Sequence, residues 1–197
     1  TLLGDGDARS AHDDLDRRPG ILMPDGKMFW LAASHPGALD KAPWARHLGD
    51  VQSATKDEPG TEIIEVNQDI ARLAGGSVGL VFSVYSAVSN GAVSIASLHP
   101  VMTVEHDGNS VECRYSFPKG QVSKAVYTYI IGTIDVGSDG IDVQLLGLTS
   151  EKGSENTPWI VRKGEIFTVT FDGTPVFKKG RTIMARMLGA GKNKYIN

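Results

Sequence analysis

The chain has 197 residues, enough for one sizeable domain and few for two. Its hydrophobic fraction of 41% and charged fraction of 22% exclude a disordered chain, and a formal net charge of -3 excludes a global field favouring nucleic acid or an anionic membrane surface. No window approaches the roughly 18 consecutive apolar residues of a membrane span, so no insertion into a membrane is expected.

The first residues, TLLGDGDARS, lack a basic stretch followed by a long apolar one, so no signal peptide is expected, although Thr1 in place of an initiator Met fits a processed terminus. Residues 1–20 form an acidic segment. Ile21–Met23 and Met28–Ala33 are short apolar pieces flanking Pro24-Asp25-Gly26, which reads as a turn between two hairpin strands. From Thr61 onwards the alternation of strands dominates. Strands are expected at Thr61–Val66, Val78–Tyr85, Ala92–Ser97, Val101–His106, Val111–Phe117, Tyr127–Ile134, Ile141–Leu148, Trp159–Arg162 and Phe167–Phe171.

Three of these strands carry directional information. In Val111–Phe117 the residues Val111, Cys113, Tyr115 and Phe117 share the inward parity, with Glu112, Arg114 and Ser116 outward. Phe167, Val169 and Phe171 do the same at the C-terminal end. Val78–Tyr85 and Tyr127–Ile134 are apolar on both parities, as in central strands covered on both faces. His106–Asn109 and Ser138–Gly140 carry hairpin-turn residues.

One stretch predicts a helix. Asn67–Ala74 opens on a capping residue and stops at Gly75-Gly76. Roughly eight to ten closely spaced strands with one short helix predict a single all-β domain over residues 1–197, an antiparallel two-sheet β-sandwich. Residues 151–158 read as a polar loop and residues 189–197 as a flexible tail.

Residues 4–16 hold the densest chemistry. Asp5, Asp7, Asp13, Asp14 and Asp16 fall within a glycine-containing stretch of the kind that can wrap several oxygens around one calcium ion, which takes about six to eight. Arg9 stands where an EF-hand would place its third oxygen ligand. The competing reading is a solvated segment whose acids are offset by Arg9, Arg17 and Arg18. A second acidic stretch, Gly49–Glu62, repeats Gly-Asp, a small hydroxyl residue and paired acids just before a strand. On its own it reads as an ordinary loop, with Asp50 and Glu62 in water.

Taken together these features resemble the TerD/TerA family of tellurium-resistance and stress-response proteins. The resemblance rests on Gly49-Asp50, Ser53, Asp57-Glu58 and Glu62, then Ile63–Val66, the Asn67–Ala74 helix and Val81–Ala87 with its Val84-Tyr85 pair. It continues through Val111–Tyr115, Ile131-Gly132 and Leu146-Gly147, covering about residues 20–180. It implies a calcium-binding β-sandwich without catalysis, a stress-response role in the cytoplasm, and action through protein partners. Calcium would be held by Asp5, Asp7, Asp13, Asp14 and Asp16, with Asp50 and Asp57 from the second loop. That loop departs from the family pattern: Val51 replaces Asn, Ala54 replaces Gly, and Pro59-Gly60 replace paired aspartates, leaving it fewer oxygens.

Other signals point elsewhere. Gly75-Gly-Ser-Val-Gly79 matches the spacing of a nucleophile elbow, but the expected order of helix then strand is the reverse of what that motif needs, so Ser77 is expected in a turn. His12, His35, His47, His99 and His106 are too scattered for a zinc site and read as surface or turn residues. Trp30, Trp44 and Trp159 could line a carbohydrate-binding face, the alternative function, or pack in the core. Phe177–Arg181 is a short basic turn. Cys113 is the single cysteine, which leaves no internal disulfide, fits a reducing compartment, and is expected to be buried.

Overall fold

The computed structural model describes residues 2–4, 16–49, 60–85, 101–114, 126–151, 158–164 and 166–171. The strands among them are β1 (Leu2–Gly4), β2 (Asp16–Leu22), β3 (Met28–Trp30), β4 (Gly37–Ala38), β5 (Ala45–His47), β6 (Gly60–Glu62) and β7 (Ile64–Val66). Helix α1 (Ile70–Ala74) follows, then β8 (Val78–Tyr85), β9 (Val101–His106), β10 (Asn109–Arg114), β11 (Thr128–Val136), β12 (Ile141–Thr149), β13 (Trp159–Lys163) and β14 (Ile166–Thr170). All the strand pairs are antiparallel, as the all-β sandwich reading expects.

The centre is a five-stranded sheet in the order β12-β11-β8-β2-β3. A four-stranded sheet, β10-β9-β1-β6, and a three-stranded one, β4-β5-β7, contribute to its inner side. The chain passes between these two sheets at Ile63, whose carbonyl accepts the Leu48 N–H at 3.0 Å. The strand expected over Thr61–Val66 is therefore two short strands serving different sheets.

Alternation sorts the central strands into two cores. Val78, Leu80, Phe82 and Val84 of β8 join Ile21, Met102, Cys113, Tyr129 and Ile131 on the inner side. Val81 points the other way and meets Leu22, Ile130 and Ile160. Strands β13 and β14 cover that outer side, with Trp30, Val169 and Phe171 partly buried against it. Burial on both faces explains why Val78–Tyr85 and Tyr127–Ile134 are continuously apolar. In β11 the register shifts between Ile130 and Gly132. Inner-facing parity consequently changes from Tyr129 and Ile131 to Ile134 and Val136 within one strand.

The expected turns are present with their backbone reasons. Asp107 and Gly108 both have positive φ, 49° and 75°, the requirement of a two-residue hairpin turn matched to strand twist. At Pro24–Gly26, Gly26 has φ 84° and its N–H donates to the Met23 carbonyl. Gly75, with φ 78°, ends α1 in the left-handed conformation.

Three expectations are corrected. The helix starts at Ile70, because Asn67 does not cap it: the Asn67 Oδ1 accepts the Asp69 N–H in a preceding turn. Val111 is 46% exposed, because β10 is an edge strand and this position lies close to its hairpin. Cys113, two residues on, is buried as parity requires. Strand structure also begins earlier than expected, with β1 lying between β9 and β6 and β2 starting at Asp16. Residues 92–97, Tyr115, Phe117, the basic turn at 177–181 and the tail at 189–197 lie outside the described residues. Among the described residues, no helix is long and apolar enough to cross a membrane.

Candidate functional site

The register of β1 against β6 pairs Leu2 with Glu62, Leu3 with Thr61 and Gly4 with Gly60. Opposed residues of an antiparallel pair lie only about 4.5–5.5 Å apart at Cα. Gly4 immediately precedes Asp5, the first acid of the first segment, and Gly60 follows the Asp57-Glu58 pair of the second with one residue between. The point where one segment leaves the sheet is thus beside the point where the other enters it. The second segment departs from Gly49, just beyond β5.

A buried polar pair lies next to these attachment points. His47 of β5 and Glu62 of β6 have side chains only 2% exposed, with His47 Nε2 3.3 Å from Glu62 Oε2. The Gly49 N–H donates to His47 Nδ1 at 3.1 Å. Nδ1 therefore presents its lone pair, and the ring proton sits on Nε2, the nitrogen nearer the Glu62 carboxylate. The arrangement links the chain leaving β5 to the strand entering β6. A buried carboxylate is costly unless it has polar partners, so this pair has a defined geometry to maintain.

Neither residue was expected in this role. His47 was read as a surface histidine and Glu62 as a solvated acid, and both are corrected to buried. The signal was present in Ala45-Arg46-His47, where Ala45 and His47 are buried and Arg46 is exposed, but three residues are too few to establish a period. Arg46 bonds outward to Glu65 at 2.6 Å.

Of the candidate calcium ligands, Asp5, Asp7, Asp13, Asp14, Asp50 and Asp57 lie outside the described residues. The backbone of Asp16 opens β2 opposite Tyr85, and its side chain also lies outside them. Among the described residues, no group of three or more His, Cys, Asp or Glu is arranged to hold a metal ion.

The remaining candidates resolve individually. Ser77 sits between α1 and β8, with its carbonyl accepting from Arg162 at 3.3 Å, so it lies on no strand-to-helix elbow. His35 is exposed with its ring beside the Ser34 hydroxyl, and exposed His106 lies 3.3 Å from Asp107. His12 and His99 lie outside the described residues. The tryptophans do not share one face: Trp30 and Trp159 approach at 6.4 Å on the outer side, whereas Trp44 packs on the inner core. Cys113 is buried, and loss of hydration raises its thiol above the ordinary value.

Sequence reading also missed an ionic contact on the outer side. Asp135 of β11 lies 3.5 Å from Arg162 of β13, both about three-quarters buried at the side chain. Burial raises the Asp135 carboxyl, Arg162 opposes that rise, and Asp142 across the strand pair adds to it. Against models of known protein families the chain finds no match, and no curated protein matches it.

Proposed function

We propose that the chain is a non-enzymatic, calcium-binding protein of the TerD/TerA stress-response kind, acting in the cytoplasm by engaging protein partners. The observation that carries the calcium part is the pairing of Gly4 with Gly60. It supports a single site to which both acidic segments contribute, the first supplying Asp5, Asp7, Asp13, Asp14 and Asp16 and the second Asp50 and Asp57. Neither segment needs a complete ligand set of its own, which accommodates the departures at Val51, Ala54, Pro59 and Gly60.

The physical argument is charge. Several carboxylates held close together repel one another, and a divalent cation removes that cost while ordering the backbone that carries them. The neighbouring His47–Glu62 pair would give those segments a fixed base. The burial of Cys113, with its raised thiol, argues against thiol chemistry at that residue.

Calorimetric titration with calcium after chelator treatment tests the proposal, with magnesium as the control ion. Saturable heat with calcium, weaker or absent with magnesium, is expected. A flat calcium titration contradicts the reading.

A further inference from the structure

His47 makes two contacts that answer differently to a proton. Its Nδ1 accepts the Gly49 N–H at 3.1 Å, which only a ring with a lone pair at that nitrogen can do. Its Nε2 lies 3.3 Å from the Glu62 carboxylate, and both side chains are 2% exposed. A second proton would enter the ring at Nδ1. That nitrogen would then direct its own N–H at the Gly49 N–H, and two donors cannot bond each other. At Nε2 the facing carboxylate would compensate the new charge, which burial alone would disfavour strongly. Protonation therefore strengthens the contact with β6 and removes the contact with the chain leaving β5.

The surrounding backbone bonds fix where such a change stops. β5 pairs with β7 from Ala45 opposite Val66 to His47 opposite Ile64. The His47 N–H donates to the Pro36 carbonyl, and the Leu48 N–H donates to the Ile63 carbonyl. None of these bonds uses the ring. Arg46 and Glu65, the charged neighbours on β5 and β7, pair with each other on the exposed side. Gly49 is exposed, and its φ of 129° is one that glycine adopts without strain. Its N–H can pass from the ring to water, with Leu48 still held in place.

We propose that His47 is a proton-operated latch at the end of β5: the neutral ring holds Gly49, and the imidazolium lets Gly49 go while keeping Glu62. The inference does not depend on calcium and is tested in its absence, so the two readings can fail separately.

The test uses ring and amide nitrogen spectra of the full chain in chelator-containing buffer, from about pH 8 to about pH 5, where histidine ordinarily titrates. At the alkaline end Nδ1 should resonate as an unprotonated nitrogen and Nε2 as a protonated one. As pH falls, Nδ1 should gain its proton, and the Gly49 amide should shift with the same midpoint. Protection of the Gly49 amide against exchange, corrected for pH, should drop about fivefold, as for one lost hydrogen bond, while Leu48 keeps its protection. His47→Asn offers an acceptor oxygen near the Nδ1 position on a side chain that does not titrate, so the Gly49 amide should there be insensitive to pH. The parent spectra decide the question alone if that variant does not fold. A proton on Nδ1 at the alkaline end, a ring that takes no second proton across the range, or a Gly49 amide that does not follow the ring would overturn the proposal. The same holds for a Gly49 amide that still titrates in folded His47→Asn.

Discussion

Gly132 illustrates how one residue can set the spacing of a sheet. A Cβ built there would collide with the backbone carbonyl oxygen of Gln144 on β12 and come within 2.9 Å of Met102 Cε on the facing sheet. The glycine sits where the register of β11 shifts, so a backbone neighbour and a core side chain both exploit its missing side chain. Gly132→Ala should lower stability by about 1–3 kcal/mol, measured by urea unfolding, because the carbonyl cannot rotate away as a flexible side chain could. Unchanged stability would mean that β12 and Met102 do not approach Gly132 so closely.

Asp135 gives a prediction with a defined sign. Its carboxyl lies above the ordinary 3.8, chiefly because burial disfavours the charged form. The folded state therefore holds this proton more tightly than the unfolded state does. The resulting penalty is absent below the unfolded value and develops fully once pH exceeds the raised folded value. Asp135→Asn removes a group that titrates in this window. The variant's stability relative to the parent should therefore rise as pH increases from below the ordinary 3.8 through the raised folded value, whatever offset the lost Arg162 contact contributes. A difference that stays constant or falls with pH would contradict the assignment.

At the scale of elements, the outer strands show what alternation can reveal and where it stops. Phe167–Phe171 was legible because Val169 and Phe171 share a face, and both pack on the outer core. Ile160 of β13 is 1% exposed and meets Leu22, Val81 and Ile130, forming the main apolar link between that face and the β13–β14 pair. Ile160→Ala should cost about 2–5 kcal/mol, and protease cleavage within residues 158–171 should accelerate if this pair opens on its own. Equal protection of parent and variant would show that the pair is held by other contacts.

Longer strands were readable because burial on two faces leaves an uninterrupted apolar run, as in β8. The shift of register inside β11 could not be read, since in such a run both parities are apolar and a change of parity leaves no trace. β1, β5 and β6 are only three residues each. Their identity depends on partners distant in sequence, such as Gly60 for Gly4, and a local pattern carries no record of that pairing. For the same reason the His47–Glu62 pair was invisible: neither residue announces burial, and only the sheets bring them together. The acidic segments were legible as composition. Their meeting point became visible through the β1–β6 register.

For the whole molecule, the central sheet is covered on both faces, and two acidic segments attach at one end of a covering sheet. In this arrangement an ion bound between the segments would tie the N-terminal strand, β5 and β6 to a common point, so binding should be read by global unfolding. Calcium that binds only the folded chain adds about 2.7 kcal/mol of stability at roughly a hundred times its dissociation constant. For a chain of this size that corresponds to a rise in melting temperature of about 5–10 °C. The direct measurement is thermal unfolding with chelator and with saturating calcium, on the parent, on the double variant Asp13→Asn with Asp14→Asn, and on Asp139→Asn in the exposed β11–β12 turn. A calcium-dependent rise is expected in the parent and in Asp139→Asn, and its loss in the double variant. Parent melting that calcium leaves unchanged would contradict it.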